Sequence, residues 1–269
     1  MKTLKNKLAS IIIVNFNNAE LLKKSLRSVL NQSYKNKEVI VVDDFSTDHS
    51  LAVLKDFKNK IKIIRNRKKT LIGSYNQINS YYLGFLKSKG NYIFFLDSDD
   101  FYNKNKLKKI IKEFDVRKNL KIIFDLPILK FKKKIKKEKF SQKSFKFSNW
   151  PRFTPQSCIS VKRDYAKELF LKLNIKKFET LWFDFRIASY TFIKYKNIFV
   201  LNKYLTYYRQ LDNSASKEFK FFSKKWWSRR KDAHDFIDYL SEKNQLKKKT
   251  TLDKVATIII NKLLNIYKI

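Results

Sequence analysis

Three carboxylates that could bind a metal stand close together in the sequence. The stretch IFFLDSDDFYNKNKL at 93–107 places Asp97, Asp99 and Asp100 directly after a run of apolar residues. Like charges at this spacing repel one another unless a cation or hydrogen-bond donors compensate. A divalent cation that bridges carboxylate and phosphate oxygens supplies that compensation. The motif therefore predicts a site for a divalent cation among these carboxylates; the other interpretation is that the aspartates cap the helix that follows.

A second acidic group follows an earlier apolar run. EVIVV at 38–42 ends in Asp43 and Asp44, and Asp48 comes soon after. If both runs are parallel strands, their carboxyl ends lie at one edge of the sheet, where ligands bind in α/β folds. We therefore expect both acidic groups to face one cleft. For Asp48 the pattern STDHS favours helix capping, with Ser46 or Thr47 as the expected cap.

The elements that would position these acids alternate between strand and helix. The segments between the apolar runs have helical periodicity. The basic segment 104–114, which follows the carboxylates at 97–100, is also predicted to be a helix. Strands are predicted at 8–14, 38–42, 61–64, 92–96, 122–124 and 198–208, and further helices at 74–88, 162–173, 179–192, 217–241 and 252–266. This order predicts an α/β fold with a Rossmann-like, mostly parallel central sheet flanked by helices. The amino-terminal MKTLKNKLASIIIVNF is interpreted as leading into the first core strand, not as a signal peptide.

The composition excludes several kinds of site. The 269 residues include one cysteine, Cys158, so no internal disulfide can form and a reducing compartment is expected. Cys158 is expected to be a small core residue and His234 to be structural. Two histidines are too few for a histidine-rich metal site, and three glycines leave no glycine-rich phosphate loop.

The charge is strongly positive and has two interpretations. Lys and Arg number 61 against 24 Asp and Glu, which gives a formal net charge of +37. This charge predicts attraction to a polyanion, either nucleic acid or an anionic membrane surface. An AT-rich coding sequence would give the same lysine content with no binding role.

Three segments, in order and correctly spaced over 8–107, resemble a known family. They are VNFNNAELLKKSLRSVLNQSY, VIVVDDFSTDHS and KGNYIFFLDSDD, and LWFDFRIA and YYRQLDNSAS follow downstream. Together they resemble the nucleotide-sugar domain of inverting family 2 glycosyltransferases, which adopt the GT-A fold. The resemblance implies a metal-dependent inverting transferase for a UDP-sugar, with Mn²⁺ or Mg²⁺ as cofactor.

The resemblance also implies roles for single residues at the donor end. Phe16 matches an aromatic residue that stacks on uracil, and Asp44, with Asp43, matches the acid that binds base and ribose. Asp97 would face the ribose and Asp99 the metal, with Asp100 as a supporting or metal-binding partner. The residues expected to bind the nucleotide-sugar are Phe16, Asn17, Asp43, Asp44, Asp97, Ser98 and Arg209. Arg209 is the expected phosphate ligand, in a segment with Ser214 and Ser216 that could close over the diphosphate.

Transfer also needs a general base to take the acceptor proton. Asp184 in WFDF matches the acid of the family's Glu-Asp pair, so it is the catalytic candidate, with Glu179 as the alternative. Trp182, Phe183 and Phe185 would raise the pKa of Asp184 if they enclose it. The other interpretation is a helix-surface Asp paired with a lysine.

Several positions depart from the family pattern. Asn15 replaces the usual proline, Phe45 replaces a glycine after the Asp pair, and Phe183 replaces the Glu before the base. The family's Arg-Asn pair would fall near Tyr81 and Tyr82. A different cation must then meet the phosphates, and the segment IRNRKK offers Arg65, Arg67 or Lys68.

The carboxyl-terminal part is basic and aromatic. Residues 130–147 form a lysine-dense connector that could be a mobile hairpin, and 217–231 read KEFKFFSKKWWSRRK. Aromatics mixed with cations suit an anionic membrane interface, and equally a helix packed on the core or a stack on single-stranded nucleic acid. We divide the chain into a GT-A domain at 1–212, with a nucleotide-sugar-binding half at 1–126 and an acceptor-side half at 127–212, and a basic helical extension at 213–269.

The leading hypothesis is transfer of a sugar from a UDP-sugar to a glycan or lipid-linked glycan acceptor. The product would belong to bacterial-type surface polysaccharide, lipooligosaccharide or lipid-linked glycan, made at the inner face of the cytoplasmic membrane. One rival is a nucleic-acid-binding protein, which the acidic edge of the sheet disfavours because it would repel phosphates. Another is an inactive transferase-like lobe that serves as a membrane scaffold.

Overall fold

A computed structural model describes residues 7–66, 70–137, 139–141, 149–211 and 219–266. The expected roles of Arg67, Lys68, Ser214 and Ser216 lie outside these described residues, as does most of the second half of the basic connector.

The described chain contains strands and helices in an alternating order through its first half. The strands are β1 (Ala9–Asn15), β2 (Lys37–Asp43), β3 (Lys62–Arg65), β4 (Tyr92–Asp97), β5 (Phe101–Tyr102), β6 (Ile122–Lys130), β7 (Ile135–Lys137), β8 (Ile159–Lys162) and β9 (Val200–Arg209). The helices are α1 (Ala19–Leu30), α2 (Ser50–Lys55), α3 (Gly73–Lys87), α4 (Lys106–Val116), α5 (Arg163–Leu173), α6 (Phe183–Tyr195), α7 (Lys224–Lys243) and α8 (Leu252–Ile266).

The strands form one mixed sheet that is parallel where the acidic motifs end. Its order is β3-β2-β1-β4-β8-β6-β9-β5, with β7 paired to β6. The first four strands in this order are parallel neighbours, while β8 runs antiparallel to both β4 and β6. Asn15 of β1 pairs with Asp43 and Val14 pairs with Asp97. The two acidic groups therefore flank the carboxyl end of β1, as the sequence predicts.

Both faces of the sheet are covered, which explains why its strands read as continuous apolar runs. Side chains alternate along β1, so that Ile12 and Val14 enter the core beneath α3, α5, α6 and α7. Ile11 and Ile13 enter the core beneath α1, α2 and α4. Gly84 lets α3 lie close to β1, because a Cβ there would stand 2.3 Å from the Ile12 Cγ2 atom. The predicted GT-A-like α/β fold is confirmed.

Some element boundaries differ from the predicted ones. The helix predicted at 179–192 begins at Phe183, since residues 176–178 form a 3-10 turn. Neither Ser46 nor Thr47 caps α2; the Asp48 carboxylate accepts from the Ser50 backbone N–H at 2.9 Å and from that of Ala19 at 2.9 Å. The N-cap position of α2 is His49, so Asp48 accepts from the first backbone N–H of α2 from one position before the cap. β5 and β8 were not predicted, and β6 continues through residue 127 to Lys130.

The carboxyl-terminal helices pack in different ways. α7 buries Ala233, Phe236, Ile237 and Leu240 against the core. α8 lies on α7 and buries only Thr257 among its residues. No helix in the described part of the chain is both long enough and apolar enough to cross a membrane.

Candidate active site

A cleft of about 620 Å³ opens at the carboxyl ends of β1, β2 and β4. Its floor is formed by the ends of these strands. Its far wall includes Trp182, which precedes α6, Asp184 and Phe185 of α6, and Arg229 of α7. The predicted site residues that line it are Phe16, Asp44, Asp97, Ser98, Asp99 and Asp184. One cleft thus joins the acidic edge of the sheet to the candidate base.

Asp97 is held by side chains from two other elements. Its Oδ1 accepts from the Gln77 Nε2 at 2.9 Å and from the Tyr81 hydroxyl at 2.8 Å, both on α3. Its backbone N–H donates to the Ser157 hydroxyl at 3.0 Å. Burial, reinforced by the nearby Asp99 charge, raises the pKa of Asp97 to about 7, against the lowering effect of these hydrogen bonds. Tyr81, which stands where the family pattern has its Arg-Asn pair, therefore fixes an acid of the motif.

Asp99 and Asp100 point to different surroundings. Asp99 lines the cleft, and burial raises its pKa although the Arg209 charge lowers it. Asp100 is fully buried, and its Oδ1 accepts from the Arg209 backbone N–H at 2.9 Å. The Asp100 Oδ2 is buried with no hydrogen-bond partner. Burial and the charges of Asp99 and Asp97 raise the pKa of Asp100 well above its ordinary value.

The expected three-carboxylate metal site is not preformed. In the described part of the chain, no group of three His, Cys, Asp or Glu side chains is arranged to hold a metal ion. The reason is local, because Asp97 is bonded to α3 and Asp100 turns into the interior. The donor set still fits Mg²⁺ or Mn²⁺, which bind through one or two carboxylates together with substrate phosphates. Asp99 with Asp97 would hold the ion, whose charge would compensate the burial that raises both pKa values and the Asp99 charge that adds to the shift of Asp97.

The other end of the cleft floor offers an aromatic ring and a second acid. Phe16 is 47% exposed and lines the cleft, as a ring that stacks on a base would. The Asp44 Oδ1 accepts from the Asn66 Nδ2 at 2.8 Å. Asp43 lies behind the cleft wall and braces the loop, since its carboxylate accepts from the Asn15 amide and the Ser46 backbone N–H, both at 3.1 Å.

Asn17 also braces this loop and does not line the cleft. Its side-chain oxygen accepts from the Thr47 backbone N–H at 2.7 Å, and its backbone N–H donates to the Ser46 hydroxyl. Asn17 and Phe45 both have positive φ, of 47° and 61°. Asn18, which was not predicted as a site residue, lines the cleft and bonds Ser98 at 3.1 Å.

Asp184 lies at the start of α6 on the wall of the cleft. Its Oδ1 accepts from the Phe185 backbone N–H at 2.7 Å. Burial raises the pKa of Asp184, while the Phe185 and Gln156 backbone N–H groups and the Arg229 charge lower it. The partner charge is thus an arginine on α7, not the surface lysine of the alternative interpretation. Glu179 does not line the cleft.

Two expected phosphate ligands lie outside the cleft lining. Arg209 stacks on Phe101, with its guanidinium carbon 5.1 Å from the ring centroid, and its Nη1 is buried without a hydrogen-bond partner. The neighbouring Tyr208 lines the cleft. Arg65 is exposed at the end of β3 and does not contribute to the lining.

Several residues of the site carry no local sequence signal. Gln77, Gln156 and Arg229 line the cleft, and they come from α3, a 3-10 turn and α7. Behind the acidic motif, the fully buried Lys106 Nζ pairs with the Asp125 Oδ2 at 2.7 Å. Lys106 also donates to the Ser157 carbonyl oxygen at 2.6 Å. This buried pair anchors the turn whose Ser157 hydroxyl binds Asp97.

The curated relatives match the amino-terminal part of the chain. An uncharacterised glycosyltransferase of Nostoc sp. is 32% identical over 124 residues, which cover 45% of this chain and 37% of that protein. The poly(ribitol-phosphate) β-N-acetylglucosaminyltransferase TarP of Staphylococcus aureus is 36% identical over 108 residues, 39% of this chain and 32% of TarP. The chain thus covers well under half the length of these two relatives.

A solved structure shares the fold over most of the chain. The structure of S. aureus TarS residues 1–349 in complex with UDP-GlcNAc covers 94% of this chain and 70% of its own, with a TM-score of 0.62 and 18% identity. The family model described as glycosyl transferase family 2 matches residues 10–170, more than half of the 269 residues. The matched residues include both acidic motifs and the strands that end in them. The chain belongs to glycosyl transferase family 2.

Proposed function

We propose that this protein is a metal-dependent inverting glycosyltransferase that moves a sugar from a UDP-sugar to a hydroxyl group of a glycan acceptor. One observation carries the proposal: Asp44, Asp97 and Asp99 line the same cleft as Asp184. The three acids at the strand ends suit the binding of a nucleoside diphosphate donor and its metal ion. Asp184 suits removal of the acceptor proton. The TarS structures solved with UDP and with UDP-GlcNAc support the choice of donor.

The donor would lie along the ends of β1, β2 and β4. Phe16 would stack on the uracil, while Asp44, oriented by Asn66, would accept hydrogen bonds from the base or ribose. Asp97, oriented by Tyr81 and Gln77, would face the ribose. A divalent cation bound by Asp99 would neutralise charge on the diphosphate leaving group. Arg209, although outside the cleft lining, would add a positive charge that acts near Asp99.

Asp184 would act as the general base. A base on the face of the sugar opposite the leaving diphosphate gives in-line displacement with inversion at the anomeric carbon. Asp184 would take the proton from the acceptor hydroxyl while the oxygen bonds to the anomeric carbon and the bond to the diphosphate breaks. Burial raises the pKa of Asp184 from its ordinary value, which makes the carboxylate a better proton acceptor.

The acceptor would be a surface polysaccharide, lipooligosaccharide or lipid-linked glycan, and the protein would work at an anionic membrane surface. The described part of α8 turns its apolar side chains to solvent: Leu252, Val255, Ile258, Ile259, Leu263 and Ile266 are all exposed. Lys262 stands among them in the sequence, while Lys254 pairs with Asp238 on α7. A helix with exposed apolar side chains and neighbouring cations suits the interface of an anionic bilayer.

Polar contacts hold α8 in this orientation. The Asp253 carboxylate pairs with Arg230 at 2.7 Å and lies 3.2 Å from the His234 Nε2. The Asn261 side chain donates to the Trp227 carbonyl oxygen at 3.0 Å. Because these contacts fix the inner face, the apolar face stays outward. We propose that this face and the exposed aromatics Phe221 and Phe222 bind the inner face of the cytoplasmic membrane.

The reaction is tested by release of UDP from UDP-glucose, UDP-galactose and UDP-GlcNAc with Mn²⁺, using water as the acceptor. The Asp184→Asn variant is expected to lose about 10²-fold or more in rate, the usual contribution of a general base, while UDP binding stays intact. Glu179→Gln is the matched control, since Glu179 lies outside the cleft lining. Equal rates in Asp184→Asn and wild type would exclude Asp184 as base.

A further inference from the structure

Donor groups without partners surround the candidate base. Gln156 is only 3% exposed and lines the cleft, yet neither atom of its side-chain amide has a hydrogen-bond partner. The indole Nε1 of Trp182, another lining residue, is also buried without a partner. A buried polar group without a hydrogen bond costs about 1–3 kcal/mol. Buried groups of this kind are satisfied by a bound ligand or by ordered water.

Arg229 adds a charge to the same end of the cleft. Its guanidinium carbon lies 4.5 Å from the Phe219 ring centroid and 5.9 Å from that of Trp182. Within the described ranges no carboxylate lies at ion-pair distance from it, and its attraction to Asp184 acts over a longer range. Arg229 is thus positioned by two ring faces, and its five N–H donors remain available to a ligand.

The three groups lie on separate elements that meet beside Asp184. Gln156 belongs to the 3-10 turn before β8, Trp182 precedes α6, and Arg229 belongs to α7. The Gln156 backbone N–H is close enough to the Asp184 carboxylate to lower its pKa. If Asp184 is the base, the acceptor binds beside it, and these three side chains contact the acceptor. The donor diphosphate belongs at the other end of the cleft, near Asp97 and Asp99. This step rests on the proposed function.

We infer that this end of the cleft is an acceptor subsite for a phosphate group, formed by Arg229, Gln156 and Trp182. A planar guanidinium beside neutral N–H donors suits phosphate oxygens, which accept several charge-assisted hydrogen bonds at once. The acceptor would then carry a phosphate near the hydroxyl that is glycosylated. The net charge of +37 would attract such an acceptor from solution.

The test measures binding to the full chain with UDP and Mn²⁺ already bound. Calorimetric titrations compare sn-glycerol 3-phosphate with glycerol, which lacks the charge, and with glycerate, which carries a carboxylate. Wild type is expected to bind the phosphate at least 10-fold more tightly than either. Arg229→Gln is expected to lose at least 10-fold in this affinity, and Arg229→Lys to recover part of it. Arg117→Gln, an exposed arginine outside this cleft, is the matched control.

The outcomes separate this subsite from the donor site. UDP and Mn²⁺ should bind wild type and Arg229→Gln equally, and failure to bind wild type would contradict the proposed reaction itself. If UDP and Mn²⁺ bind but glycerol 3-phosphate shows no saturable binding, or binds Arg229→Gln as well as wild type, the subsite is wrong. Equal affinity for glycerate would overturn the assignment to phosphate.

Discussion

At the scale of single residues, the site depends on buried acids whose pKa values the folded chain raises. Asp97 has a pKa raised to about 7, mainly by burial and then by Asp99. An aspartate in the unfolded chain titrates near 4. The folded protein therefore binds more protons than the unfolded chain between about pH 4 and 7. The stability that Asp97 contributes is complete below this window and is lost as the pH rises through it.

Replacement of Asp97 by Asn should remove this loss of folding stability at high pH. In metal-free buffer at pH 8, we expect Asp97→Asn to raise the free energy of unfolding by about 1–3 kcal/mol, because one buried charge is gone. The gain should disappear below about pH 5, and it is measured by urea unfolding at both pH values. Asp235→Asn, at an exposed helical ion pair with Lys231, is the control and should change stability little. A variant that is less stable than wild type at pH 8 would contradict the assignment.

The acids themselves could be predicted from sequence, but the residues that orient them could not. Asp97, Asp99 and Asp44 follow apolar runs directly, so their place at the sheet edge is a local property. Gln77 and Arg229 reach the cleft, and Tyr81 reaches Asp97, only through tertiary packing. Asp100 was expected near the metal, but its burial beneath Arg209 depends on β9, more than 100 residues later.

Phe45 shows how a departure from a family pattern translates into backbone geometry. It stands where the resemblance expects glycine, and its φ of 61° lies in the left-handed region that favours glycine. The neighbouring carboxylate of Asp43 bonds the Ser46 backbone N–H and so holds the turn. The loop is therefore kept despite a residue that strains it by roughly 1–2 kcal/mol.

At the scale of elements, the buried Arg186 holds the segment 173–181, which precedes the candidate base Asp184. Arg186 is fully buried on α6, and in the described part of the chain all its hydrogen-bond partners are backbone carbonyl groups. It donates to Leu173 at 2.7 Å and to Ile175 at 2.9 Å, and it also bonds Phe178 and Leu181. Burial lowers the pKa of Arg186 to about 10. These bonds position the segment that carries Trp182 to the cleft.

Replacement of Arg186 by Met should therefore weaken both fold and site. We expect a loss of about 2–4 kcal/mol in unfolding free energy, because several buried carbonyl groups lose their donor at once. The measurement is urea unfolding at pH 7.5. Arg117→Met is the control, since the Arg117 side chain is 57% exposed, with one ion pair to Glu113 and a contact to the Phe199 ring, and its loss should cost less than about 1 kcal/mol. Equal stability of the two variants would show that the buried bonds contribute little.

Sequence periodicity predicted whether a segment is a helix or a strand more reliably than it predicted where the segment ends or which strand it pairs with. The parallel half of the sheet consists of continuous apolar runs between helices, a pattern that local sequence can show. β5 has two residues and β8 has four, too few for a periodic signal. The late start of α6 follows from the 3-10 turn and the Arg186 contacts, which depend on the folded chain.

At the scale of the whole molecule, positive charge and the exposed face of α8 both support the proposed membrane surface as a partner. The net charge of +37 attracts anionic surfaces, and the apolar side chains of α8 would add burial at the headgroup boundary. Basic composition alone could not choose between nucleic acid and membrane. The outward orientation of Ile259 and Leu263, both exposed, favours the membrane.

Membrane binding can be tested by sedimentation with vesicles. We expect wild type to bind vesicles that contain phosphatidylglycerol and to bind pure phosphatidylcholine weakly. The double variant Ile259→Glu with Leu263→Glu should lose most of the binding, because two charges would have to enter the interface. The control is Leu171→Glu on α5, where the side chain is 68% exposed and outside the α8 face. Equal binding by the double variant and wild type would exclude α8 as the docking face.

The most direct test of the central claim is thermal stability with UDP, GDP and CDP, each with and without manganese. If the acids at the sheet edge hold a divalent ion against the pyrophosphate of a UDP-sugar, only UDP with manganese should raise the melting temperature substantially. The Asp99→Asn variant should then lose the part of the shift that depends on manganese. No shift with any nucleotide, or the same shift with and without the metal, would contradict the claim.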